Sequence, residues 1–229
     1  MNSSTKSNVF LAAVIIGASV TALIACSQSY ASEVSIAVNQ LDANASCCGP
    51  ITPAGKKLLE VLDAANVENR WLPHQYVNWE TGEPQENTLV FSSHCSAFTA
   101  AIGKRLNVYM LRPPEHSPVL LASAQTAWFA QDAGKQAGWS QLFTEEEAQH
   151  LSNNGQLVVA SYENPHPKKP GHIAIVRPSL KNLTALNEDG PEITQAGATN
   201  YADTNVRTGF AKHAGAYRRN VRYFVHAVY

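Results

Sequence analysis

Cys95 follows Ser92, Ser93 and His94 and precedes a stretch in which Phe98, Ala101, Ile102 and Leu106 recur near helical spacing. The spacing predicts a helix that begins at the cysteine, with Ser92 or Ser93 as its N-cap. The unpaired amides and positive dipole end of such a helix favour thiolate over thiol, and the thiolate is the nucleophile. His172 opens the run Gly171-His172-Ile173-Ala174-Ile175-Val176, which reads as a buried strand entered through a glycine. A histidine at the mouth of a core strand is held rigidly with its tip near a cleft, as a general base requires. A third group then orients the imidazole by accepting from its other ring N–H. Gln195, in the next extended stretch, offers an amide oxygen, and Asn200 just beyond it is the reserve.

The elements around these residues follow from pattern. Thr52-Pro53 opens a helix whose apolar face is Leu58, Leu59, Val61, Leu62 and Ala65. Arg70 to Asn87 is aromatic and turn-rich and reads as a long loop; Trp71, Tyr76, Trp79 and, farther on, Trp139 are candidates to line a groove or to pack. Val119 to Ala133 reads as a helix, and Thr144-Glu145-Glu146-Glu147 as a capping box that starts another, ending near Gly155. The second half then changes period. Short apolar runs at Leu157–Ser161, Ile173–Val176, Ile193–Ala196 and Arg222–Val228 are separated by Pro and Gly clusters, as in a mostly antiparallel sheet. Helices first and strands afterwards indicate an α+β domain.

At the amino terminus, Lys6 precedes an uncharged apolar run from Val9 to Ala25, the pattern of a secretory signal. The run sits near the lower limit of about 17 residues for a membrane span and is diluted by Gly17, Ser19 and Thr21. Leu23-Ile24-Ala25-Cys26 resembles a bacterial lipobox, in which Cys26 is lipidated; Ser29-Tyr30-Ala31 fits ordinary signal peptidase. The expected organisation is a signal over 1–31, a linker over 32–50 and one domain over 51–229. That places the domain in the periplasm or cell envelope, free or tethered by a lipid.

Formal net charge is −1 in 229 residues, so no global field points to nucleic acid. Cys47, Cys48 and Cys95 remain after Cys26, an odd number for an oxidising compartment. Neighbouring Cα atoms lie about 3.8 Å apart, below the usual disulfide range of about 4.4 Å and up, so a bond between Cys47 and Cys48 is not expected. His94, Cys95 and His172 lack a second close Cys/His pair with structural-zinc spacing. The chain carries neither HExxH nor a phosphate loop. Neither metal nor cofactor is expected.

The order of parts resembles the NlpC/P60 and CHAP group of papain-like cysteine peptidases: a Cys at a helix start, a His entering a strand, a polar residue on the following strand. The resemblance spans roughly Ser92 to Gly197, with Gly155–Ala160 where such proteins carry a first core strand. Cys precedes His, whereas the permuted relatives that act on lipids place His first. The resemblance implies a papain-like fold, helices packed on the sheet, and hydrolysis of amide bonds in peptidoglycan peptides by Cys95, His172 and Gln195. The sequence departs from the group at His94, where many members have Asp. His94 cannot serve Cys95 as base, because adjacent helical residues do not share a face, and is expected to line the cleft. Two alternatives stand beside this reading: a non-catalytic envelope lipoprotein that binds wall fragments or a protein partner, and a secreted wall-degrading toxin of the same chemistry.

Overall fold

In the computed structural model, residues 45–228 are described. The signal, the lipobox with Cys26 and most of the linker lie outside them. Ser46–Tyr229 forms one compact unit. Among the described residues no helix is long and apolar enough to cross a membrane.

Among the described residues seven helices and six strands follow one another as α1 (Pro53–Asp63), α2 (Cys95–Arg105), α3 (Leu121–Ala130), α4 (Asp132–Gln136), β1 (Ser140–Leu142), α5 (Glu145–Asn153), β2 (Leu157–Tyr162), β3 (His172–Val176), α6 (Leu183–Asp189), β4 (Glu192–Gln195), β5 (Tyr201–Asn205), α7 (Val206–Gly209) and β6 (Arg222–His226). The strands make one sheet in the order β1-β6-β2-β3-β4-β5, and every pairing is antiparallel. The architecture is thus α+β, as the sequence pattern implies.

β2 and β3 are apolar at nearly every position because both faces of the sheet are covered. Leu157, Val159, Ile173, Ile175 and Phe224 point into a core shared with Leu58 and Leu62 of α1, Phe98 and Ile102 of α2, and Phe129 of α3. Their neighbours Val158, Ala160, Ala174, Val176 and Ile193 point the other way, onto Ala148 of α5, Val206 of α7 and Phe210. Strand alternation therefore sends Cys95 and Ile173 to one layer and Tyr162 and Phe210 to the other.

The caps read from sequence are present at α1 and α5. Thr52 Oγ1 accepts from the Gly55 amide, with Pro53 at the first turn, and Thr144 Oγ1 accepts from the Glu147 amide. The long helix expected from Val119 to Ala133 is instead α3 and α4, broken at Gln131, whose backbone is extended. The expected N-cap of α2 also needs correction. His94, not Ser92 or Ser93, holds that place, and it makes no side-chain capping bond.

Cys47 and Cys48 are bonded to each other, which overturns the expectation drawn from their Cα spacing. The usual disulfide range describes most pairs and does not forbid a neighbouring one. Here the chain turns sharply at Gly49, at φ +77°. The Cys48 carbonyl is held by His150 Nδ1 at 3.1 Å, and the Cys47 amide donates to the Lys181 carbonyl at 3.1 Å. These contacts, and the bridge from Ser46 to Asn182, bring residues 46–50 into the folded unit rather than the linker.

Candidate active site

Cys95 is the first residue of α2, is 5 % exposed, and is the free cysteine among the described residues. Because α2 has no side-chain cap, none of the backbone amides of Cys95, Ser96 and Ala97 donates to a backbone or side-chain oxygen among the described residues. Burial pushes the Cys95 thiol above its ordinary range. Opposing this are backbone N–H groups of Ile173, Ser96 and Cys95 itself, and the Ser93 hydroxyl. The helix end thus favours the thiolate, as expected, but burial outweighs it, and the free protein carries a neutral thiol at neutral pH.

His172, the first residue of β3, is 3 % exposed. Its glycine neighbour serves close approach: a Cβ on Gly171 would lie 2.2 Å from the Tyr162 carbonyl oxygen. Burial lowers the imidazole to about 4, against the Gln195 hydrogen bond, which acts in the opposite direction.

Gln195 closes β4. The register pairs Ile175 with Thr194 and Val176 with Ile193; continued one step, it sets Gln195 opposite Ala174, on the face that His172 shares. The amide orientation follows from its two partners. Gln195 Nε2 donates to the Thr199 carbonyl at 3.1 Å, which turns Oε1 toward His172 Nε2, 2.8 Å away. An amide oxygen can only accept, so His172 carries its proton on Nε2 and keeps the lone pair on Nδ1. Gly209 makes room for this pair, since a Cβ there would lie 2.5 Å from Gln195 Oε1.

Thiol and imidazole lie at the same end of the sheet but not on one face: Cys95 packs in the layer of Ile173, whereas the His172 ring shares the face of Ala174 and Gln195 and packs on Phe210. The thiol lies against the amide of Ile173, one residue along the strand from His172. Among the described residues no hydrogen bond joins the Cys95 sulfur to the His172 ring.

Asn200 has a different place. Its Oδ1 accepts from the Gly197 amide at 3.0 Å, and its Nδ2 donates to the carbonyls of Val67 and Arg70 at 2.7 and 2.8 Å. It fastens the β4–β5 turn to the loop after α1 and takes no part in holding His172. His94 is buried, with Nε2 3.0 Å from the Gln75 carbonyl, and burial lowers its imidazole below the usual range. It lines a cavity.

Two cavities flank Ser93, each about 340 Å³. One is walled by Tyr76, Trp79, Phe91, His94, Pro113 and His116. The other is walled by His172, Gln195, Thr199, Tyr201, Lys212 and His213. Ser93 borders both, and its hydroxyl also faces the Cys95 thiol. The aromatic residues of the 70–87 loop thus divide. Tyr76 and Trp79 line the first cavity, whereas Trp71 is core, edge-on to Phe98.

His213 is the residue that sequence reasoning missed. Its ring stacks on His172 at 5.2 Å between centroids and 16° between planes, with Phe210 edge-on to His172 at 4.7 Å. Burial and the neighbouring His172 lower His213 to about 4. It comes from an irregular segment after α7, where no periodicity marks one side chain over another.

Among the described residues no group of three or more His, Cys, Asp or Glu side chains is placed to hold a metal ion. A scan against protein-family models finds no match to this chain, and a search of curated proteins finds none either.

Proposed function

We propose that this protein is a cysteine hydrolase of papain-like, NlpC/P60-type arrangement that cleaves amide bonds, with peptidoglycan peptides as its substrates in the cell envelope. The observation that carries the proposal is the tautomer fixed at His172. Gln195 Oε1 accepts a hydrogen bond from His172 Nε2–H, which leaves the Nδ1 lone pair free, and the Cys95 thiol lies against the backbone amide of the next residue, Ile173.

In this reading the substrate amide lies across Ser93, between the two cavities. The Cys95 sulfur attacks the carbonyl carbon while its proton passes to His172 Nδ1. The charge that develops on the imidazole is stabilised by Gln195 Oε1. The uncapped amides at the start of α2 receive the negative oxygen of the tetrahedral intermediate. The C–N bond then breaks, and His172 returns the proton to the leaving amine. Water, deprotonated by His172, hydrolyses the thioester and frees the thiol. In the free protein the thiol and imidazole are both neutral, so proton transfer accompanies attack rather than preceding it. Export rests on the amino-terminal signal pattern, with Cys26 as the lipid anchor point if the lipobox is used.

The test is product analysis by mass spectrometry after incubation with purified muropeptides. Wild-type protein should release peptide fragments, and Cys95→Ser should release none. Intact muropeptides bound without cleavage by the wild type would favour the binding-only alternative.

A further inference from the structure

The cavity that His172 and Gln195 line also presents a cation. Lys212 stands in its wall, and no Asp or Glu lines the space to neutralise it. Lys212 is exposed and forms no ion pair among the described residues. Asp203, just past Tyr201 of the wall, lies 3.8 Å from Arg177 instead. Two more cations, Lys168 and Lys169, directly precede Pro170 of the same wall and are likewise exposed and without an ion pair among the described residues.

The uncharged part of the wall supplies free donors. The hydroxyls of Ser92, Tyr201 and Thr208 all border the cavity and make no hydrogen bond among the described residues; Thr208 donates to Asn205 Oδ1 through its backbone amide. An ammonium and several free hydroxyls around one space replace the water that a carboxylate gives up on entering it. A cationic group would meet only repulsion there, and an apolar group would strip water from donors and return nothing.

His172 determines which part of a substrate reaches this cavity. In the hydrolase reading it returns its proton to the leaving amine, so the carbon that carries the amine lies beside the imidazole. Groups on that carbon extend into the space the imidazole borders. The acyl portion lies beyond the carbonyl, across Ser93.

We propose that this cavity is the subsite for a carboxylate carried by the amine-side residue of the scissile amide, and that Lys212 is the residue that selects it. The assignment to the amine side rests on the hydrolase reading above and narrows it. Lys212 touches no reacting atom. It holds the leaving portion of the substrate by its charge.

The probes are purified muropeptides and the same muropeptides with their carboxylates converted to primary amides. Wild-type kcat/KM should be roughly three- to tenfold higher for the native form, the range for a charge pair only partly withdrawn from water and supported by hydroxyl donors. Lys212→Arg should keep this preference and Lys212→Gln should erase it. The loss should fall on KM rather than kcat, and added salt should shrink the wild-type preference. Both variants alter an exposed side chain without an ion pair, so their melting temperatures should match the wild type. Equal values for the two forms in the wild type, or a preference that survives Lys212→Gln, would overturn the subsite and leave the hydrolase reading standing.

A second measurement does not depend on the thiol. Calorimetric titration of Cys95→Ser with each form should show tighter binding of the native one, and Lys212→Gln in the same background should remove the difference. That result alongside a wild type that cleaves neither form would support the subsite and sink the hydrolase. Absent binding, or binding indifferent to Lys212, alongside a wild type that cleaves neither form would sink both.

Discussion

The side-chain oxygen of Gln195 lies 2.8 Å from Nε2 of His172, and the other end of the same amide is held by the Thr199 carbonyl at 3.1 Å. An amide fixed at both ends cannot flip, so it selects one tautomer of the imidazole. Gln195→Ala removes that selection without removing a charge. It is expected to lower turnover roughly ten- to a hundredfold, about 1.4 to 2.7 kcal/mol in the transition state. His172→Ala should cost far more. Steady-state kinetics of the two variants, with wild-type thermal stability as the control, checks this.

Asn200→Ala should behave in the opposite manner. It deletes the donor that serves the Val67 and Arg70 carbonyls and the acceptor of the Gly197 amide. Stability should fall by about 1–3 kcal/mol in a denaturant titration, while the folded protein keeps its turnover. A collapse of turnover in fully folded Asn200→Ala would return Asn200 to the catalytic set.

Gly209→Ala tests the space beside the His172–Gln195 pair. The added Cβ would press on Gln195 Oε1 and Ile193 Cδ1, both 2.5 Å away. Gln195 must then withdraw from His172. Turnover is expected to fall toward that of Gln195→Ala. The double variant should be little worse than either single one, because both break the same contact.

The acid limb of the pH profile is displaced. His172 and His213 are both lowered to about 4. The neutral, basic form of His172 is present above that value and lost below it, so kcat/KM should hold its plateau well under the usual histidine range of about 6.5. Stability is lost in the same direction but sooner. Between about 6.5 and 4 the unfolded chain takes up protons that the buried rings refuse, so stability rises with pH across this window and falls as acid is added. His213→Phe should flatten the decline of melting temperature with acid. An unchanged slope would mean that His213 titrates normally in the fold.

Much of this arrangement is legible before folding, because it rests on local signals. Thr52-Pro53 and Thr144-Glu147 are caps made within one turn. The unbroken apolar run after Gly171 requires a doubly covered strand, and Ile193 and Gln195 share a face by alternation alone. What is not legible depends on tertiary partners. β5 is half-exposed along its length and β1 is three residues long, so neither carries an apolar period. His213 meets His172 across 41 positions of chain, through a segment without pattern. The Cys47–Cys48 bond ran against an argument from spacing alone, and burial of Cys95 reversed an argument from the helix end alone. In both cases one local effect was weighed without the packing that competes with it.

The central claim is that His172 is the base of Cys95, and the two rates that test it are those of Cys95 alkylation by iodoacetamide in wild-type protein and in His172→Ala, measured from pH 5 to pH 10. With His172 accepting the thiol proton, the wild type should react at pH 6 to 7 at least roughly tenfold faster than the variant. The curves should converge only where hydroxide ionises the buried thiol unaided. Superimposable profiles in two folded proteins would show a thiol that does not use His172, and would contradict the account.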